Sequence, residues 1–172
     1  MIASLVGSEM CIRDRPRLVG VKSAIDIMTT GKPVKAEKAL AIGAIDEIVD
    51  DLKSGAIAFA KKVIENATPL KRVSKSEERV ENNSENLEVI AQERAKWKKN
   101  SPHLNAPQKI IDCVEQAVLL DYAGGMNFEQ KTFQGLMDSD QSKSLIHAFF
   151  AERKSNKIPE LERGAKPRPI SK

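Results

Sequence analysis

The side chains that could do chemistry in this sequence are few and widely spaced. His103 follows Ser101 by two positions, and a Ser/His pair can begin a nucleophilic site. No orienting acid or oxyanion turn accompanies the pair, so a plain polar linker is the competing interpretation. Cys11 and Cys113 lie far apart without C-x-x-C or Cys/His spacing. This arrangement predicts neither a zinc site nor a disulfide framework, and it favours a reducing, cytoplasmic compartment.

The carboxylates that could serve in general acid–base chemistry do not form a recognisable catalytic arrangement in the sequence either. The candidates fall on predicted helix surfaces or helix ends, where ion pairing is the ordinary role, and they are Glu47, Glu115, Glu129 and Glu152. His147 lies within a predicted helix, where a capping or interfacial role is favoured over metal ligation. The sequence therefore assigns no catalytic residue and no metal site.

Composition and charge narrow the classes of partner. The 172 residues include 41% hydrophobic and 4% aromatic residues, and 28 basic against 24 acidic residues give a net charge of +4. The charges are mixed along the chain, which is typical of a solvated surface and predicts no nucleic-acid partner. The lysines around Trp97 could form a stacking surface for bases, but cations also favour the carboxyl end of a helix. No apolar run approaches the roughly 18 residues of a membrane span.

Residues 30–49 organise the predicted elements. A helical stripe should end at Thr30 before Gly31, and a second short helix should be closed by Gly43 in a left-handed conformation. The small side chains Ala36 and Ala39 predict that this second helix packs tightly against a neighbour. The β-branched residues that follow, at positions 45–49, predict a brief strand directed toward the core.

Apolar residues at helical spacing predict most of the remaining chain as amphipathic helices. The stripes cover residues 56–64, 86–99, 110–118, 126–136 and 145–152. Cys113 is expected to be a small core residue. Between the stripes we expect a charged surface segment at 71–86, a linker at 101–107 and a turn at Gly124 and Gly125. Ser139 or Asp140 should cap the last helix.

The string G-K-P-V-x-A-x-x-A-L-x-x-G-x-I-D-E-I-V at residues 31–49, preceded by P-R-L-V-G at 16–20, resembles the crotonase superfamily. That family comprises the enoyl-CoA hydratases and isomerases. Lys35 departs from its pattern, which more often has a serine or aspartate able to cap the helix. The resemblance implies a mostly α chain. It would be the helical carboxyl-terminal part of an α/β crotonase-like fold, a β-β-α spiral, with the β-spiral half missing.

Three further segments resemble the end of the hydratase domain in multifunctional fatty-acid oxidation enzymes. They are N-A-P-Q-K-I-I-D-x-V-E-Q-A at 105–117, E-x-x-x-F-x-x-L-M-x-S-D-x-S at 129–142 and H-A-F-F-A-E-R-K-x-N-K-I-P at 147–159. The resemblance implies a parent that hydrates 2-trans-enoyl-CoA to 3-hydroxyacyl-CoA and that also carries an NAD-dependent 3-hydroxyacyl-CoA dehydrogenase. It implies an acyl-CoA substrate and a thiolase subunit as a partner of the parent complex.

The resemblance also implies where binding and catalysis lie. The family's two catalytic glutamates and its oxyanion-binding amides precede P-R-L-V-G, so none maps onto this sequence and the fragment itself should be inactive. The fragment would hold no cofactor, whereas the parent binds NAD in its dehydrogenase domain and a CoA thioester as substrate. Part of the CoA pocket would survive as Phe149, for the adenine, and Lys154, for a phosphate. The alternative for Phe149 is a simple core residue on the last helix.

These interpretations divide the chain into three parts. Residues 1–15 contain S-L-V-G-S-E-M-C-I-R-D-R, which resembles a translated sequencing-adapter read and continues no periodicity past Pro16; a natural short strand or helix is the alternative. Residues 16–158 would be the carboxyl-terminal portion of a crotonase domain, and residues 159–172 a linker toward an absent NAD-binding domain. Two other hypotheses remain open: a fragment of a monofunctional crotonase, and a non-catalytic helical interaction module.

Overall fold

A computed structural model describes residues 11–69 and 72–155 of the chain. The regular elements in these ranges are helical, and no strand occurs among them, which confirms the expectation of a mostly α chain. The helices are α1 (Cys11–Val19), α2 (Val21–Thr30), α3 (Ala36–Ala41), α4 (Leu52–Glu65), α5 (Ser84–Asn100), α6 (Asn105–Leu119), α7 (Tyr122–Met137) and α8 (Asp140–Ser155), with a 3-10 turn at Val73–Lys75. Two compact units divide between Gln134 and Gly135.

The core of the first unit lies where α2 packs against α5 and α6, with α1 across α2 and α6. Ile25, Ile90, Ile111 and Val114 are among its most completely buried side chains. They fall on the stripes that helical spacing predicts, because residues three and four apart share one face. Trp97 is half-buried at the edge of this cluster and packs against it. Cys113 is 3% exposed, as expected of a small core residue.

A glycine separates α1 from α2. Gly20 has φ +81° and donates its N–H to the Pro16 carbonyl at 2.9 Å, and α2 starts at the next residue. The expected break at Pro16 is wrong, since α1 runs through this proline, which is itself buried. Only one backbone hydrogen bond is lost at a proline, and burial of its ring offsets part of that cost. The adapter origin of residues 1–15 stays a prediction, and positions 1–10 lie outside the described residues.

The ends of α2 and α3 follow the prediction closely. Gly31, at φ +61°, closes α2 by donating to the Ile27 carbonyl. Gly43, at φ +80°, donates to Leu40, and the next N–H, of Ala44, reaches back to the Ala39 carbonyl at 2.8 Å. These two bonds form a Schellman motif, which needs a left-handed residue and therefore favours glycine.

The surroundings of α3 differ from expectation. The helix has no buried residue, so the predicted tight packing of its alanines is wrong. The predicted strand at 45–49 is also wrong: Ile45 and Ile48 are 38% and 45% exposed in an irregular segment. A strand requires a hydrogen-bonding partner, and the described part of the chain supplies none. The α4 helix forms where its stripe predicts and is likewise without a buried residue.

Three predicted irregular segments contain ordered structure instead. Pro107 lies in the first turn of α6, where a proline is tolerated because a first-turn N–H has no acceptor within the helix. Its side chain is buried. Gly124 and Gly125 lie inside α7 rather than in a turn; the Asp121 carboxylate caps that helix by accepting from Gly124 N–H at 2.8 Å. Within the charged segment 71–86, Val80 is 4% exposed and joins the core.

Candidate functional site

The α8 helix carries the two residues predicted to contact CoA. Ser139 begins it: the Ser139 hydroxyl accepts the Ser142 N–H at 3.2 Å and donates to the Leu136 carbonyl at 2.6 Å. This confirms the first of the two predicted caps. No residue of α8 among those described is buried, so Phe149 is not a core residue. Its half-buried ring is part of a surface that a ligand can reach.

The Phe149 ring has two ordered neighbours on α8. The Arg153 guanidinium carbon lies 4.4 Å from the ring centroid, and Phe150 meets the ring edge-on with centroids 5.4 Å apart. A guanidinium at this distance is attracted by the negative face of the ring. Arg153 thus places a positive charge beside the aromatic face of Phe149.

Lys154 belongs to a different face of the same helix. It lines a shallow depression together with Lys143, Ile146, His147, Phe150 and Ala151. Residues four apart lie on one side of a helix, so Lys154 adjoins Phe150 rather than Phe149, which is five positions away. The structure therefore does not bring the predicted pair together. Phe149 stands with Arg153, and Lys154 stands with Phe150 and His147.

A second polar cluster is buried inside the first unit. Arg13 Nε lies 3.1 Å from Glu129 Oε2, and both side chains are below 10% exposure. Although the distance is short, the two atoms are not aligned as a hydrogen bond, so the contact is chiefly electrostatic. The guanidinium carbons of Arg13 and Arg17 lie 5.0 and 5.2 Å from the centroid of the Tyr122 ring.

Burial is the largest cause of the pKa shifts of Tyr122 and Arg17. Burial raises the pKa of the Tyr122 hydroxyl, and its hydrogen bond to the Asp14 carboxylate at 3.0 Å raises it further. Burial also lowers the pKa of Arg17, whose Nη1 donates to the Arg13 carbonyl at 3.0 Å. Tyr122 therefore stays protonated near neutral pH. Arg13 and Glu129 are paired with each other, which suits a structural contact better than proton transfer.

Paired carboxylates also mark the boundary between α5 and α6. The Arg94 guanidinium bonds to Asp112 and, at 2.8 Å, to Glu115, and Lys109 reaches Asp112 at 3.1 Å. Partial burial raises the pKa of Asp112, but the hydrogen bonds from Arg94 and Lys109 outweigh it and the net pKa is lowered. Ion pairing, the role expected of Glu115, is confirmed.

Other candidates from the sequence do not converge. Glu129 is ion-paired as expected but is 7% exposed instead of lying on a helix surface, and Glu47 lies in the exposed segment after α3. Ser101 and His103 lie in the turn between α5 and α6. No group of three or more His, Cys, Asp or Glu side chains that could hold a metal occurs in residues 11–69 and 72–155. None of the described helices has the length and apolarity needed to cross a bilayer.

Sequence reasoning missed the cluster around Tyr122. Three of its members, Arg13, Asp14 and Arg17, are charged residues of α1, and no local pattern distinguishes a buried arginine from a solvated one. One signal was available: Tyr122 is the only tyrosine in the chain and follows the potential capping residue Asp121 at the start of a helix. A buried hydroxyl requires a partner, so a search for its acceptor would have led to α1.

The chain is similar to several large proteins of lipid metabolism. It is 36% identical over 160 residues to a glyoxysomal fatty acid beta-oxidation multifunctional protein, MFP-a, of Cucumis sativus, covering 91% of this chain and 22% of that protein. It is 35% identical over 161 residues to the fatty acid oxidation complex subunit alpha of Shewanella frigidimarina, with the same coverage of 91% and 22%.

A third relative comes from an animal. The peroxisomal bifunctional enzyme of Homo sapiens is 32% identical over 143 residues, which are 83% of this chain and 20% of the relative. No protein-family model matches the chain. The chain spans about a fifth of the length of the relatives it matches. Over that fifth of their length, the chain is similar in sequence to multifunctional proteins of fatty acid β-oxidation.

Proposed function

We propose that this chain is a portion of a fatty acid β-oxidation multifunctional enzyme. Residues 16–158 would form the helical carboxyl-terminal part of its enoyl-CoA hydratase domain, and residues 159–172 would lead toward a 3-hydroxyacyl-CoA dehydrogenase domain. The similarity to multifunctional proteins over 160 residues is the observation that carries this proposal. The helical architecture of the described residues supports it.

Within that enzyme the role of this portion is to bind the CoA end of an acyl-CoA. The face of α8 that carries Phe149 offers an aromatic ring with the Arg153 guanidinium 4.4 Å from its centroid. The adjoining face offers Lys154 beside Phe150 and His147. An adenine would stack on Phe149, and a CoA phosphate would be held by Lys154 with help from Arg153.

This portion does not hydrate enoyl-CoA by itself. Hydration needs a general acid and base and two donors to the thioester oxyanion. Among the described carboxylates, Glu115 is paired with Arg94, and Glu129 with Arg13. Loss of the acid–base groups commonly costs about 10²- to 10⁴-fold, and loss of an oxyanion donor about 10²- to 10³-fold, so turnover falls to background.

The cofactor follows from the same proposal. NAD would bind in the dehydrogenase domain: the glycine pair at 124–125 lies within α7, so the described residues offer no glycine-rich phosphate turn. We place the enzyme in the cytoplasm with a thiolase subunit as its partner. A portion of a monofunctional crotonase is the second candidate, and a helical interaction module is the third.

A binding titration tests the CoA role. We expect CoA to bind the purified chain, Phe149→Ala to weaken binding by about 5-fold or more through lost stacking, and Lys154→Gln by about 1.5- to 5-fold. If Lys154 holds the 3′-phosphate, dephospho-CoA should bind the Lys154→Gln variant and the unsubstituted chain with equal affinity. Phe133→Ala is the matched control, because Phe133 is a 46% exposed aromatic on α7. Equal weakening by the control substitution would contradict the proposal.

Two further measurements separate the candidates. Crotonyl-CoA should not be hydrated above the buffer rate, and turnover by the purified chain would mean that catalytic groups have been overlooked. Resequenced source DNA should encode a glycine-rich turn directly before Pro16 in place of residues 1–15. After Lys172 it should continue into a strand with G-x-G-x-x-G. A stop codon directly after Lys172 would instead favour the monofunctional candidate.

A further inference from the structure

A small cleft lies between the last turn of α2 and the start of α3, outside the CoA-binding helix. Its volume is about 230 Å³, and it is lined by Asp26, Ile27, Thr30, Lys32, Pro33, Val34, Lys35 and Lys38. Sites for drug-sized ligands span about 300–1,000 Å³, so this cleft accepts only a small group.

Positive charge dominates the rim of the cleft. Lys32, Lys35 and Lys38 follow one another at intervals of three, and all three are exposed. Among the described residues, no carboxylate lies within ion-pair distance of any of these ammonium groups. Asp26 is the single acid of the lining, which leaves a net charge of +2 from three lysines and one aspartate. Like charges repel one another, and a bound anion relieves that repulsion.

The backbone holds this arrangement in place. Gly31 closes α2 at φ +61°, and Pro33 fixes the following extended step. The Thr30 hydroxyl donates to the Asp26 carbonyl at 2.6 Å and accepts the Lys32 N–H at 3.4 Å, which ties the loop to the helix end. The half-buried side chains of Ile27 and Val34 give the cleft an apolar floor.

We propose that this cleft binds a phosphomonoester dianion carried on a small organic group. The three ammonium groups match the charge of the phosphate, and the apolar floor accepts the atoms next to it. Asp26 sets a limit on affinity, because its carboxylate repels the same ligand. The site lies on the α2–α3 loop and needs no residue of α8.

Amide NMR of the whole chain, titrated with inorganic phosphate against chloride at equal ionic strength, tests the proposal. We expect saturable shifts at residues 30–38. The triple substitution Lys32→Gln/Lys35→Gln/Lys38→Gln should weaken binding by about 3- to 100-fold, since each exposed pair contributes about 1.4- to 5-fold. Lys53→Gln/Lys61→Gln/Lys62→Gln on exposed α4 removes the same charge and should leave binding unchanged. Asp26→Asn should strengthen binding.

Further titrations identify the class of ligand and distinguish this cleft from the site on α8. Shifts at 30–38 by CoA but not dephospho-CoA would assign the phosphate to a CoA-like molecule, whereas binding only to vesicles that contain phosphatidic acid would assign it to a lipid headgroup. Phe149→Ala and Lys154→Gln should not alter the phosphate-induced shifts at residues 30–38. Failure of CoA binding at α8 would therefore leave the test of the cleft intact. Non-saturable shifts, or equal losses in the two triple variants, would overturn the proposal.

Discussion

Arg13 and Glu129 are charged residues that are 3% and 7% exposed. Removing two charges from water is costly, and their attraction at 3.1 Å offsets that cost only while both are present. Arg13 Nη1 has no hydrogen-bond acceptor among the described residues, so Glu129 is the main compensation for the buried guanidinium.

Glu129→Gln should therefore lower the free energy of unfolding by about 3–5 kcal/mol, because it leaves a buried cation without its counter-charge. The measurement is urea unfolding of the unsubstituted chain and of the Glu129→Gln variant. Glu115→Gln is the control: it removes one partner of a pair at 31% and 34% side-chain exposure and should cost only about 0–1 kcal/mol. Arg13→Met/Glu129→Met should recover most of the loss, and equal effects of the two single substitutions would contradict this account.

Cys113 gives a second prediction at the scale of one residue. Burial raises the pKa of its thiol to about 11 from an ordinary value of 9.0. The thiolate is the reactive form, so in a Cys11→Ser background the folded chain should react with a disulfide reagent at pH 8 about 100-fold more slowly than the urea-unfolded chain. Comparable rates would mean that Cys113 is solvent-accessible.

The same pKa fixes a dependence of stability on pH. Because the folded pKa is the higher one, the unfolded chain loses this proton first, and stability falls as pH rises from about 9 to about 11. Cys113→Ala should remove that part of the decline.

At the scale of elements, α4 depends on its cap because it has no buried residue. Asp51 Oδ1 accepts the Ser54 N–H at 2.8 Å, and the hydrogen bonds from Ser54 lower the pKa of this carboxyl below 3.8. The stabilisation is complete above the ordinary pKa and is lost as pH falls through the lowered value. The first turn of α4 should therefore fray in strong acid.

Carbon chemical shifts across an acid titration check this prediction. The start of α5 is the internal control, because its cap is the neutral side chain of Asn83, which accepts the Asn86 N–H. Asp51→Asn keeps a capping oxygen without a titrating group and should abolish the pH dependence of α4. Simultaneous fraying of α5 would indicate general acid unfolding instead.

Elements whose conformation is set by local contacts could be predicted from the sequence, whereas elements that need a distant partner could not. The ends of α2 and α3 follow from Gly31 and Gly43, whose conformation is a property of glycine itself. The strand at 45–49 failed because pairing needs a second strand that local sequence cannot supply. The glycine pair at 124–125 predicts a turn, but the Asp121 cap and the rest of α7 outweigh the low helix propensity of glycine.

The candidate site was predictable to a similar degree. The placement of Phe149 and Lys154 on one helix follows from spacing, but the five-residue interval puts them on different faces. Arg153 and Phe150, the residues that they do adjoin, become evident only from helix geometry.

At the scale of the whole molecule, the two compact units differ in how they are held together. Every fully buried apolar side chain described lies before Gln134, whereas α8 has none. A chain that ends at Gln134 should keep the urea midpoint of the full chain, because burial supplies most of the stability. Among the described helices, it should lose the circular dichroism contributed by α8 and by residues 135–137 of α7. A non-cooperative transition in the shortened chain would show that the first unit depends on residues after 134.

The position of Trp97 determines what a fluorescence experiment on this protein would observe. It is the only tryptophan in the chain, and it packs against the α2–α5–α6 core. Its emission therefore responds when that core opens. Far-ultraviolet circular dichroism weighs every helical residue alike. If fluorescence and circular dichroism change at different temperatures during thermal unfolding, the difference reports helix that melts separately from the core. No added label is needed for this comparison.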